Sequence, residues 1–148
     1  MPRRDARFTV AATPEVLWRF LRDFEALCSC IPNVERITVV DDCHAELTLR
    51  EKMGVIPLVV NLKAHIEAEE PPRRLHAVAT AEHLTMAIDV ELERTAAGTE
   101  LRSVFDVKGS GQLKAIVDRL FEKRATERTA QFAACLEKRF SRPAPPSS

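Results

Sequence analysis

The chain's middle alternates apolar and polar residues with period two, and at both ends of that region the apolar positions recur at helical spacing. Residues 5–10 place Ala6, Phe8 and Val10 in one phase, which predicts a half-buried strand. Thr13 is a good N-cap, Pro14 suits the first helical position, and Glu15 favours the positive helix end. Val16, Leu17, Phe20, Leu21 and Phe24 follow at helical spacing, and a second short helix over about 24–30 ends before Pro32.

Six more strands are predicted. Residues 34–41 and 44–53 read as two strands parted by Asp41-Asp42, the second broken at Gly54. Residues 57–69 set Leu58, Val60, Leu62, Ala64, Ile66 and Ala68 on one face, and Pro71-Pro72 ends the run. Leu75, Ala77, Ala79 and Ala81 mark the next strand, and Leu84, Met86, Ile88, Val90 and Leu92 the one after. Ala96-Ala97-Gly98 makes a hairpin into the last strand, marked by Leu101, Ser103, Phe105 and Val107. Strands joined by such tight turns pair antiparallel, and one polar face with one apolar face means a sheet covered on one side.

A final helix over about 112–141 carries an apolar stripe of Leu113, Ile116, Val117, Leu120, Phe121, Ala125, Phe132, Cys135, Leu136 and Phe140. The stripe is bulky at both ends and thin in the middle, at Ala125, Thr126 and Thr129, and a facing strand offers only Ala77, Ala79 and Ala81. Small side chains on both walls predict a cavity; the plainer reading is that neighbouring Phe and Leu side chains close it, since interiors are close-packed. The expectation is an α+β chain in which a curved antiparallel sheet of about seven strands wraps one long C-terminal helix, with two short helices after the first strand. Residues 1–141 are expected to form one domain and 142–148 a disordered Pro/Ser tail.

Composition narrows the function classes. A length of 148 residues suits one core, and 45% hydrophobic residues suit a globular interior. The formal net charge is zero, so no global field draws the chain to nucleic acid. No apolar run is long enough to span a bilayer, and residues 1–5 do not open a secretory signal, so a cytoplasmic protein is expected. In that setting Cys28, Cys30, Cys43 and Cys135 are read as reduced, partly buried thiols. The last helix has eight basic residues (Lys114, Arg119, Lys123, Arg124, Arg128, Lys138, Arg139, Arg142) against Asp118, Glu122, Glu127 and Glu137. That face suits an acidic partner or peripheral contact with anionic lipid head groups, although a solvated face with compensating pairs is the more frequent case.

Candidate chemistry is sparse. His44, His65, His76 and His83 are out of phase with their apolar neighbours and point away from the core. No ligand-spaced His, Cys or acidic cluster occurs, so neither a metal nor a cofactor is expected. Gly109-Ser110-Gly111-Gln112 before the last helix could cradle an anion or simply provide a flexible entry. Counting from Leu47 and Leu49, Glu51 falls in the inward phase, unless a bulge near Gly54 turns it out. An inward carboxylate could hold a ligand's polar head or act as a general acid. Ser103, also inward, could offer a hydroxyl.

Four stretches carry a family resemblance: Phe8-Thr9-Val10 running into Ala12-Thr13-Pro14-Glu15-Val16-Leu17-Trp18; Cys30-Ile31-Pro32-Asn33-Val34-Glu35; Lys52-Met53-Gly54; and Gly98-Thr99-Glu100-Leu101 leading to Asp106-Val107-Lys108-Gly109. Through them, over about residues 6–140, the chain resembles the helix-grip (SRPBCC) superfamily of START-type, Bet v 1-like and polyketide cyclase-like domains. It most resembles the carbon monoxide dehydrogenase G-subunit family. Asn33 stands where that family usually has glycine, and no apolar C-terminal tail is present. The resemblance implies a helix-grip fold, a cavity for a lipid-like or quinone-like molecule, and an accessory role beside a molybdenum hydroxylase. The leading reading is a binding protein without catalytic activity. The inward phases nominate Leu49, Glu51, Leu62, Ala64, Ala77, Ala79, Met86, Ile88, Ser103, Phe105, Phe121, Ala125 and Phe132 as ligand-binding residues. A polyketide cyclase or dehydratase, and a protein-docking factor with an incidental cavity, are the alternatives.

Overall fold

The computed structural model describes residues 3–53, 55–111 and 113–140. Gly54, Gln112 and the tail expected at 142–148 lie outside the described residues. Strand β1 (Arg3–Val10) leads into helices α1 (Pro14–Arg22) and α2 (Phe24–Cys28). Six strands follow: β2 (Val34–Val39), β3 (His44–Met53), β4 (Ile56–Glu70), β5 (Arg74–Ala81), β6 (Leu84–Thr95) and β7 (Gly98–Gly109). Helix α3 (Leu113–Phe140) closes the chain. The seven strands make one antiparallel sheet in the order β1-β7-β6-β5-β4-β3-β2. Every neighbour is the next strand in sequence except β1, which pairs with β7 across the length of the chain. This is the sheet wrapped on one long helix that the alternation predicts, and the helix-grip architecture that the resemblance implies.

The first corner is held by local chemistry. Thr13 accepts from the Val16 amide at 3.2 Å, with Pro14 and Glu15 in the first turn of α1. Asp23 caps α2 by accepting from the Ala26 amide at 3.2 Å. Val16, placed inward by its spacing, is 41% exposed, and the indole of Trp18 is buried in its stead alongside Leu17, Phe20 and Leu21. Asn33 does not use a left-handed backbone: among the described non-glycine residues, His83 alone has positive φ.

The buried side chains form two clusters. One joins Val10, Leu17, Phe20, Leu21, Leu92 and Leu101 to Leu136 near the end of α3. The other joins Leu62, Ala79, Leu84 and Val107 to Val117 near its start. Phe8 and Phe132 meet edge to face at 6.2 Å, and Phe20 and Phe140 at 5.5 Å. The helix is thus gripped at both ends.

The cysteines require a correction. Cys30 and Cys135, read as reduced thiols, form a disulfide with Cα atoms 5.5 Å apart. The spacing of Cys28 and Cys30 carries no sign of it, because the partner is 105 residues away and is brought near only by the fold. Cys28 and Cys43 are free, the first buried.

At the β6–β7 hairpin, Gly98 has φ +138°, and a Cβ there would stand 2.2 Å from the Val10 carbonyl oxygen. Next to it Thr99, fully buried, donates its hydroxyl to the Ala12 carbonyl at 2.6 Å. The hairpin tip is therefore seated under the β1–α1 corner, and only glycine fits the approach. Gly98→Ala should lower stability by more than about 1 kcal/mol, since both the backbone angle and the space oppose it. Chemical denaturation curves measure this, and an unchanged midpoint would contradict the seating.

Candidate functional site

Between the two clusters lies a cavity of about 450 Å³ bounded by the concave face of the sheet and the middle of α3. Its size falls in the range of roughly 300–1,000 Å³ typical of small-molecule sites. The period-two phase builds its walls. Leu47, Leu49 and Glu51 enter from β3; Leu58, Val60, Leu62 and Ala64 from β4; Ala77 and Ala79 from β5; Met86 and Ile88 from β6; Ser103 and Phe105 from β7. Helix α3 adds Val117, Leu120, Ala125, Thr129 and Phe132. Twelve of the thirteen nominated side chains line this space. The side chain of the thirteenth, Phe121, lies outside the described residues.

Glu51 keeps the inward phase. Its side chain is only 14% exposed, and its carboxylate accepts a short hydrogen bond from the Arg128 guanidinium. Arg128 also donates to the Gln131 side chain at 3.0 Å. This corrects the reading of α3 as having all its basic residues on an outer face. Arg124 and Arg128 line the cavity, and Arg4 lines it from β1. The Nε atoms of Arg4, Arg124 and Arg128 are buried without a hydrogen-bond partner. Thr126, placed in the thin middle of the stripe, is exposed.

The chain does carry signals for these arginines. Arg4 shares the phase of Ala6, Phe8 and Val10. Arg124 and Arg128 continue the three-and-four spacing that joins Val117 to Phe132 and Leu136. Residue type speaks against both signals, because arginine is usually exposed. The cavity also reaches Phe24, Leu27, Cys28, Ile31 and Val34 beneath α2. Sequence reasoning misses these, because a short helix and its turn have too few residues to show a period.

The histidines behave mostly as their phase predicts. His76 is held by Asp89 at 2.6 Å and Glu67 at 3.1 Å on the outer face. His44 stacks on His65, which touches the cavity from β4 while remaining 38% exposed. Ser110 bonds back to the His83 carbonyl through its amide at 2.9 Å, tying the turn before α3 to the β5–β6 hairpin. Among the described residues, no group of His, Cys, Asp and Glu is arranged to hold a metal ion. None of the described helices is long and apolar enough to cross a membrane.

A curved antiparallel sheet gripping one long helix over an apolar cavity defines a START-like, helix-grip protein, a fold suited to hydrophobic ligands. Solved structures share it: a conserved protein from Geobacillus kaustophilus has a TM-score of 0.76 at 15% identity, covering 94% of this chain and 95% of that one. A START superfamily protein from Mycobacterium smegmatis has a TM-score of 0.73 at 17% identity, covering 93% and 96%. A protein from Thermus thermophilus reaches 0.70 at 16% identity, covering 94% and 97%. At these identities the likeness shows the fold alone. The model of the carbon monoxide dehydrogenase G-subunit family (CoxG) matches residues 7–141, and the chain belongs to that family. No curated protein matches it in sequence.

Burial pushes the Cys28 thiol up to about 11. The folded state therefore holds this group neutral, and its contribution to stability is complete below pH 9, the ordinary thiol value, and lost as pH rises through about 11. In native protein at pH 8, a thiol reagent should modify Cys43 first and Cys28 far more slowly until the protein unfolds. Equal rates at the two positions, followed by mass spectrometry of the digested protein, would count against the burial.

Proposed function

We propose that the protein holds an apolar or amphipathic small molecule, lipid-like or quinone-like, in the cavity. The observation that carries this reading is a space of about 450 Å³ with walls mostly of Leu, Val, Ala, Met, Ile and Phe side chains. Transfer of an apolar molecule into it is favoured by roughly 25 cal/mol per Å² buried. In this reading Leu49, Leu62, Ala64, Ala77, Ala79, Met86, Ile88, Phe105, Ala125 and Phe132 contact the apolar body, and Glu51 and Ser103 lie beside the polar end. Membership of the CoxG family supports an accessory role beside a molybdenum hydroxylase of the carbon monoxide dehydrogenase type. The protein is then a carrier or holder rather than an enzyme. The cyclase or dehydratase reading would rest on Glu51, whose carboxylate is already engaged by Arg128. A cytoplasmic location accompanies the proposal, with the Cys30–Cys135 bridge the feature least suited to it.

Organic extraction of purified protein should release an apolar compound detectable by mass spectrometry. Protein that carries none, and that also fails to take up an uncharged apolar dye, would end the reading. Ala125→Phe places a ring in the cavity from the middle of α3. If the space is empty without ligand, the melting temperature should hold or rise while dye uptake falls. In a filled core the same change would overpack and cost about 1–3 kcal/mol.

A further inference from the structure

Three arginines do not belong in an apolar cavity unless something answers them. Their arrangement can be read from the fold. Strand β1 is antiparallel to β7, and α3 turns back along β7 after a short connection, so β1 and α3 run in the same direction. Phe8 and Phe132 touch, which sets the two elements in register. Arg4 lies four residues before Phe8, about 13 Å along the strand. Arg124 lies eight residues before Phe132, about 12 Å along the helix. Arg4 and Arg124 therefore stand at the same height, with Arg128 one turn away. Glu51 reaches this group from β3, which lies four strands beyond β7 in the sheet, so its bond to Arg128 spans the cavity. The Arg128 and Arg124 side chains are 29% and 36% exposed, which puts the group where the cavity meets solvent.

The charges do not balance. Glu51 answers Arg128, and Glu127 approaches Arg124 from the solvent side at 3.5 Å. Each of the three guanidinium groups still has a buried Nε without an acceptor. Buried donors are almost always satisfied, so these Nε groups call for an acceptor. Guanidinium groups match the planar, two-oxygen geometry of an anionic head.

We propose that the cavity takes a single-chain amphiphile with an anionic head, and that Arg4, Arg124 and Arg128 receive that head at the mouth while the chain fills the apolar interior. This rests on the cavity-binding reading above and narrows its ligand class. Glu51 acts in it as an internal competitor, occupying Arg128 until the incoming head replaces it.

The test compares dodecanoate, dodecyl phosphate and dodecanol, which share one chain and differ in the head, by calorimetry and dye displacement at pH 8. Wild-type protein should bind dodecanoate about ten-fold more tightly than dodecanol, the discrimination expected of a charge-assisted pair. Arg4→Met and Arg128→Met should bring that ratio close to one, while Arg128→Lys keeps part of the preference. Glu51→Gln should raise dodecanoate affinity relative to dodecanol affinity, an effect a merely structural ion pair would not produce. Dodecyl phosphate binding more tightly than dodecanoate would support the same subsite with a phosphate head. Equal binding of all three would overturn the anionic subsite and leave the cavity reading standing. Binding of none, together with exclusion of an uncharged apolar dye, would overturn both. Circular dichroism and melting curves establish that each variant is folded.

Discussion

A single helix is too narrow for the sheet it must cover, and most of this structure follows from that mismatch. Seven strands spaced about 4.8 Å apart make a surface about 30 Å wide. An α-helix with its side chains is only about 10–12 Å across. The apolar face of the sheet can be hidden only if the sheet curls toward the helix, and a curled sheet touches a straight rod along a limited line. Here α3 lies chiefly against β7 and β1, and the strands from β6 to β3 arch away from its middle. The two short helices fill part of the difference at one end. What they leave is the cavity.

That geometry explains why the anchors sit at the ends of the helix. Leu136, Phe132 and Phe140 pack with the α1 side chains, and Val117 packs against Leu62, Ala79 and Val107. The Cys30–Cys135 bond fastens the same end that the aromatic contacts hold. The middle of the helix reaches across to the far strands through the bond from Arg128 to Glu51. An ion pair at a cavity mouth can exchange partners with an anion, whereas a packed leucine cannot exchange with anything.

The fold is legible because its strands are long and cleanly alternating. Strand β4 keeps one phase from Leu58 until the irregularity between Ile66 and Ala68, so Leu62 and Ala64 can be placed inward with no knowledge of their neighbours. Glu51 is readable for the same reason. The arginines are not, because residue type and position disagree and the usual preference of arginine for solvent outweighs a short periodic signal. The disulfide is invisible for a different reason: pairing across 105 residues is a property of the assembled fold and leaves no local trace. The floor under α2 escapes because a five-residue helix and the turn after it are too short to show a period.

The bridge from Cys30 to Cys135 also turns most of the chain into a covalent ring. Strands β2 to β7 and most of α3 lie within it, while β1, α1 and α2 lie outside. A tensile load applied at the two termini would pass through the bridge and would never reach the hairpins inside. Only β1, the first helices and the last turn of α3 could be drawn out, peeling β1 from β7. Under such a load the meander that walls the cavity would behave as a closed hoop, mechanically isolated from whatever the ends of the protein are attached to.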